Sequence, residues 1–147
     1  MPEMAEANLH STTRPTVLDY GSGSGILAIA AMKLGAAEAY GVDIDPRAVE
    51  TARYNAALND VVVHFTDGEH AVDALADILV ANILANPLRV LAPLLAAHTK
   101  RGGALVLAGI LNSQAEEIVG IYREWFDLSV WCSEEGWSCL AGRRLVA

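Results

Sequence analysis

The sequence predicts an α/β fold, a doubly wound and mostly parallel sheet of seven strands finished by a C-terminal antiparallel hairpin. Three observations carry this expectation. Short apolar, β-branched segments alternate with helix-length segments along most of the chain. Those strand segments are apolar throughout rather than alternating, as strands covered on both faces are. The last two strands, by contrast, are joined by too few residues for a crossover helix.

In order, Thr16-Val17-Leu18-Asp19-Tyr20 reads as a strand that runs directly into the glycine turn Gly21-Ser22-Gly23-Ser24-Gly25. Ile26 to Leu34 is apolar at nearly every position and forms a helix needing cover on most sides, stopped by Gly35. Ala39 to Asp43 is a second buried strand that ends on an acid. Asp45-Pro46 supplies an N-cap and a proline at the first helical position, opening a helix to about Leu58 with Val49, Ala52 and Ala56 on one face. Val61 to Phe65 is expected as the third strand and Asp77 to Asn82 as the fourth, with Pro87 to about Ala97 helical.

Arg101-Gly102-Gly103 then turns the chain into a fifth strand, Ala104 to Ala108. Ser113-Gln114-Ala115-Glu116 has the S-x-x-E spacing of a capping box and opens a helix to about Trp125. Leu128 to Cys132 and Trp137 to Leu145 form the closing hairpin around Ser133-Glu134-Glu135-Gly136. A polar leader, residues 1–13, precedes a single domain, residues 14–147.

Composition narrows the function classes. Of the 147 residues 53% are hydrophobic and 19% charged, which excludes a disordered chain. The formal charge of -8 is the wrong sign for gripping phosphate backbones, so direct nucleic-acid binding is not expected. No apolar run is long enough to span a membrane. Two cysteines are too few for a disulfide framework or a thiolate metal cage, and His10, His70 and His98 lack metal-like spacing, so no metal is expected. A reducing cytoplasm fits this usage. Cys132 and Cys139 read as inert half-buried thiols, His64 as structural, and Trp125, Trp131 and Trp137 as packing residues.

In open parallel sheets ligands bind beyond the carboxyl ends of the strands, and the polar punctuation Asp19, the glycines, Asp43, Asp67 and Asn82 falls on that rim. Glycines at 21, 23 and 25 allow bare backbone to approach a ligand. Asp43, at the end of the second strand, is placed to accept hydrogen bonds from two ribose hydroxyls. A glycine turn with such an acid occurs in both nicotinamide and adenosylmethionine enzymes. The dinucleotide fingerprint G-x-G-x-x-G would need glycine where Ile26 stands, and the third glycine is at 25 instead.

That G-x-G-x-G form, preceded by Val17-Leu18-Asp19, resembles the first motif of class I S-adenosylmethionine methyltransferases, whose domain is Rossmann-like. The run Val80-Ala81-Asn82-Ile83-Leu84-Ala85-Asn86-Pro87-Leu88 narrows the resemblance to the PrmA-like methyltransferases of large-subunit ribosomal protein eleven. Val17 to Ala30, Gly41 to Pro46, Gly109-Ile110-Leu111 and Gly142-Arg143-Arg144 extend it. The resemblance implies S-adenosylmethionine as cofactor and N-methylation of lysine ε-amines and an N-terminal α-amine of a ribosomal protein. It implies cofactor contacts from Asp19 at the methionine end, from Gly21, Ser22, Gly23 and Gly25, from Asp43 at the ribose, from Ile44, from Asp67 at the adenine, and from Asn82. Asn82 is also the implied catalytic residue, touching the acceptor amine.

The family usually carries an N-terminal substrate-recognition domain, for which this chain is expected to have no room, and an H-x-T-T segment followed by a helix ahead of strand one; here His10-Ser11-Thr12-Thr13 runs directly into Arg14-Pro15, and the helix is expected to be missing. A sheet face without that helix is expected to make the chain self-associate. Methylation of a nucleic-acid base or small-molecule amine is the competing enzymatic expectation, although Asn82 is followed by Ile83 rather than by a stacking aromatic. An inactive cofactor-binding scaffold is the third.

Overall fold

The computed structural model describes residues 13–68 and 74–146. The leader before Thr13, His10 and His70 lie outside them. Seven strands form one sheet in the order β3-β2-β1-β4-β5-β7-β6. They are β1 (Thr16–Tyr20), β2 (Glu38–Val42), β3 (His64–Thr66), β4 (Ala76–Asn82), β5 (Thr99–Leu111), β6 (Phe126–Glu134) and β7 (Trp137–Arg144). The first five are parallel, and β7 runs antiparallel between β5 and β6. The helices are α1 (Ile26–Lys33), α2 (Pro46–Leu58), α3 (Ala85–Ala97) and α4 (Ala115–Tyr122). The expected α/β class, mostly parallel sheet and closing hairpin are all present.

The core is split by the sheet. On one face α1 and α2 bury Ala28, Ile29, Val49, Ala52 and Ala56 against Ala39 and Phe65. On the other, α3 and α4 bury Leu88, Leu95, Ile118 and Tyr122 against Leu79, Leu105, Leu107 and Leu140. The Tyr122 hydroxyl donates to the Leu88 carbonyl at 2.7 Å, which satisfies the one polar atom of a fully buried aromatic. Asp45 caps α2 as expected, accepting from the Arg47 amide at 2.9 Å ahead of Pro46.

Three elements depart from expectation. The third strand covers His64–Thr66 rather than Val61 to Phe65, because the Val61 amide donates to the Ala56 carbonyl and closes α2, and β2 pairs only from Tyr40 to Val42. The fifth strand extends at both ends. Arg101 to Gly103 form an excursion within it, between Ala76↔Thr99 and Ile78↔Ala104, and its far end pairs with β7 out to Leu111. Before α4 the Ser113–Glu116 capping box is not made. A 3-10 turn, Asn112–Gln114, precedes the helix, and the Gln114 side chain accepts from the Leu111 amide at 3.0 Å.

On the α1 side of the sheet, β5, β7 and β6 line an open groove of about 330 Å³, formed by Ala104, Val106, Ala141, Arg143, Asp127 and Trp131. Trp131 is 57% and Trp137 48% exposed, so these two are not packing residues; only Trp125 joins the core edge.

Candidate active site

The turn leaving β1 is fastened to the end of β2. The Val42 carbonyl accepts from the amides of Gly21, at 2.7 Å, and Ser22, at 2.9 Å. One residue on, Asp43 Oδ2 accepts from the Gly23 amide at 2.8 Å, and Oδ1 accepts from the Asp45 amide at 2.9 Å. The Asp43 amide donates in turn to the Thr66 carbonyl at 3.1 Å, so the carboxyl ends of three adjacent strands are linked. From α2, Asn55 Nδ2 donates to the Ser24 carbonyl at 3.0 Å and holds the outer half of the turn.

Two glycines have distinct reasons to be glycine. Gly25 caps α1 at φ +85°, and a Cβ there would lie 2.8 Å from Phe65 Cζ and 3.0 Å from Ala52 Cβ. Gly23, at φ +54°, would meet nothing within 4 Å, so its backbone faces open space at the sheet's rim. Beside it the Ser22 hydroxyl is buried with no hydrogen-bond partner among the described residues.

Asp19 lies beneath the turn, 1% exposed, with Oδ2 accepting from the Ala28 amide in the first turn of α1 at 3.3 Å. Burial pushes its carboxyl up to about 6 from an ordinary 3.8; the Ala28 amide pulls the other way, and the nearby Asp43 adds a smaller upward push. Ile44, 86% exposed, presents a bare aliphatic side chain next to Asp43. Asp67 is half-buried just past β3, with Gly68 behind it near Val42 and Ile44.

Asn82 ends β4 and opens onto a second part of the rim, a pocket of about 450 Å³ lined by Asn82, Ile83, Leu84, Gly109 and Trp137. Gly109 lets β5 close against this corner: a Cβ there would lie 2.7 Å from the Ile83 carbonyl oxygen and 3.1 Å from Asn82 Oδ1. Trp137 is the first residue of β7, opposite Leu111 at the end of β5. Because β7 runs against β5, its start arrives where β5 ends. An aromatic therefore lines the same pocket as Asn82, from a distant strand rather than from the following residue.

All the expected site residues thus lie along the carboxyl ends of β1, β2, β3 and β4, in two groups: the turn with Asp19, Asp43, Ile44 and Asp67, and the Asn82 pocket. Gly109 and Trp137 were not among the expected site residues, nor was Asn55. The S-E-E-G turn before Trp137 is the sequence signal that places this tryptophan at a strand start, but only the strand order brings it to the pocket.

Residues 3–145 match the family model for ribosomal protein L11 methyltransferase (PrmA). A ribosomal protein L11 methyltransferase of Cupriavidus taiwanensis is 55% identical over 139 residues, covering 95% of this chain and 46% of the relative. That of Dechloromonas aromatica is 58% identical over 127 residues, covering 86% and 43%. The chain thus spans less than half the length of these curated relatives. Among solved structures, the ribosomal protein L11 methylase of Lactobacillus delbrueckii subsp. bulgaricus superposes with TM-score 0.85 and 35% identity, over 97% of this chain and 76% of that one. The T. thermophilus 16S rRNA N2 G1207 methyltransferase (RsmC), solved with AdoMet and guanosine, shares the fold at TM-score 0.76 and 20% identity, over 97% of this chain and 41% of that one. The family-model match over residues 3–145, with the identity to these relatives, places the chain in the ribosomal protein L11 methyltransferase (PrmA) family.

Proposed function

We propose that this chain is the catalytic core of a cytoplasmic S-adenosylmethionine-dependent N-methyltransferase that acts on lysine ε-amines or the N-terminal α-amine of a ribosomal protein. The observation that carries this is the Asp43 carboxylate bonded to the Gly23 amide, on the same rim as the Asn82 pocket. The residues present suit the nucleoside part of this cofactor. Each Asp43 oxygen accepts one amide and keeps a second lone pair for a ribose hydroxyl. The exposed Ile44 offers an apolar surface to an adenine, and Asp67 offers an acceptor for its amino group. The unpartnered Ser22 hydroxyl and the space before Gly23 receive the amino-acid portion beyond the sugar. Asp19 supplies negative charge beneath the cationic methionine end.

When bound, the cofactor supplies an electrophilic methyl group on a sulfonium. The chain's own task is to hold the acceptor nitrogen neutral and in line. Asn82 can accept one N–H and orient the lone pair without adding positive charge near the amine. Ile83, Leu84 and Trp137 keep the corner apolar, which disfavours an ammonium and favours the free amine. A net charge of -8 suits a lysine-bearing protein substrate and repels nucleic acid. No helix among the described residues is long and apolar enough to cross a membrane.

Calorimetric titration with S-adenosylmethionine and, in parallel, with nicotinamide dinucleotide tests the donor; binding of only the second would overturn the proposal. Asp43→Ala should weaken S-adenosylmethionine binding about 100-fold or more, as expected on losing two hydrogen bonds to a carboxylate. Full affinity in that variant would remove Asp43 from the ribose. Asn82→Ala should leave cofactor affinity intact and lower methyl transfer to a lysine-bearing ribosomal protein about 10- to 100-fold. Weakened cofactor binding with unchanged turnover would show that its role is misassigned.

Asp19 generates a pH dependence of stability. Between its unfolded value of 3.8 and its folded value of about 6, the folded chain keeps a proton that the unfolded chain has lost. Stability is therefore highest below pH 3.8 as far as this group is concerned, and falls as pH rises to about 6. The fall amounts to roughly 3 kcal/mol. Urea unfolding of the chain and of Asp19→Asn across this range should show the slope only in the parent; parallel curves would disprove the assignment.

The open groove on β5, β7 and β6 should make the isolated chain self-associate. Sedimentation at rising concentration should show a growing average mass that Trp131→Lys reduces, whereas a monomer throughout would count against it.

A further inference from the structure

Cys132 on β6 and Cys139 on β7 are directly opposite one another in the antiparallel register. Both are free, Cys132 exposed and Cys139 half-buried. Residues opposed in this way have Cα atoms about 4.5–5.5 Å apart, inside the span that a disulfide bridges. The neighbouring pair is tied by side-chain hydrogen bonds. One pair further toward the turn, the Ser133 and Ser138 hydroxyls are 3.2 Å apart, and Ser138 donates to Asn112 Oδ1 at 2.6 Å. On the other side, the bulge that leaves Trp131 without a partner shifts the register by one residue between Val130↔Leu140 and Cys132↔Cys139. Without that extra residue Cys132 would face a different position.

We propose that Cys132 and Cys139 are a redox-active dithiol, a modification site that closes to a cross-strand disulfide by exchange with low-molecular-weight disulfides of the glutathione class. The exposed Cys132, as thiolate, attacks one sulfur of the small disulfide; a mixed disulfide forms on Cys132 and one small thiol leaves. Cys139 then gives up its proton and attacks the Cys132 sulfur, forming the Cys132–Cys139 bond and releasing the second small thiol. Two protein thiols are oxidised, one small disulfide is reduced, and the protons end on the two small thiols. Burial and the adjacent Cys132 sulfur push the Cys139 thiol up, so the second step quickens with rising pH. An exposed cross-strand disulfide belongs to the readily reduced class, so the reaction runs both ways. The pair is two residues from Trp137 along β7, so its closure stiffens the strand start that reaches the Asn82 pocket.

The test does not depend on the methyltransferase assignment. The full chain is equilibrated with mixtures of oxidised and reduced glutathione, quenched with acid, alkylated and weighed intact. As the mixture becomes more oxidising, the two free thiols should vanish together, with a mass lower by two hydrogen atoms. Dithiothreitol should restore them. Tryptophan emission should drop in step, since Trp131 and Trp137 flank the pair. Cys139→Ser should stop at a glutathione adduct on Cys132, and Cys132→Ser should react more slowly than the parent. A stable glutathione adduct on the parent chain, two alkylated thiols under oxidising mixtures, or a disulfide between two chains would each overturn the proposal, and the parent measurement suffices if either variant fails to fold.

Discussion

The end of β2 holds in place the turn that leaves β1. Two amides converge on the Val42 carbonyl and a third on the Asp43 carboxylate. These bonds set three successive residues of a glycine-rich loop, a segment whose backbone would otherwise lose a great deal of entropy on ordering. They also consume donors that would be left bare beside α1. Gly23 faces open space, and one carboxylate, Asp43, ties the loop both to the end of β2 and to the N-cap of α2.

Asp19 shows the opposite arrangement. It is buried under the same loop with a single long bond from Ala28, and burial makes it a weaker acid than a free carboxyl. An apolar residue would pack there at less cost to stability. An acid kept at such a position is a local loss of stability of the kind proteins retain at functional sites.

Features fixed by short-range chemistry were legible in the sequence. Asp45-Pro46 announced the start of α2, the five-residue glycine turn announced the crossing from β1 to α1, and the S-E-E-G turn announced the hairpin. Errors arose where two local signals competed for one group. The Val61 to Val63 run has strand composition, yet the Val61 amide is taken by the end of α2. Ser113 and Glu116 have capping-box spacing, yet Gln114 reaches the Leu111 amide first. Long-range features were not legible from local pattern at all. Trp137 beside Asn82 results from β7 entering between β5 and β6, and the opposition of Cys132 to Cys139 results from one bulged residue, neither of which any window of sequence encodes.

The position of β7 also governs how the sheet comes into being. It comes after β6 in the chain but separates β6 from β5 in space, with Leu107 facing Leu140 and Val130 facing the same residue from the other side. While the polypeptide emerges from the ribosome, β6 has no neighbour to join, and Leu105, Leu107 and Phe126 wait without their full cover until the closing strand has left the exit tunnel. Assembly of this half therefore waits on its closing strand, and until that strand arrives the apolar residues of β5 and β6 are the surface most exposed to wrong contacts.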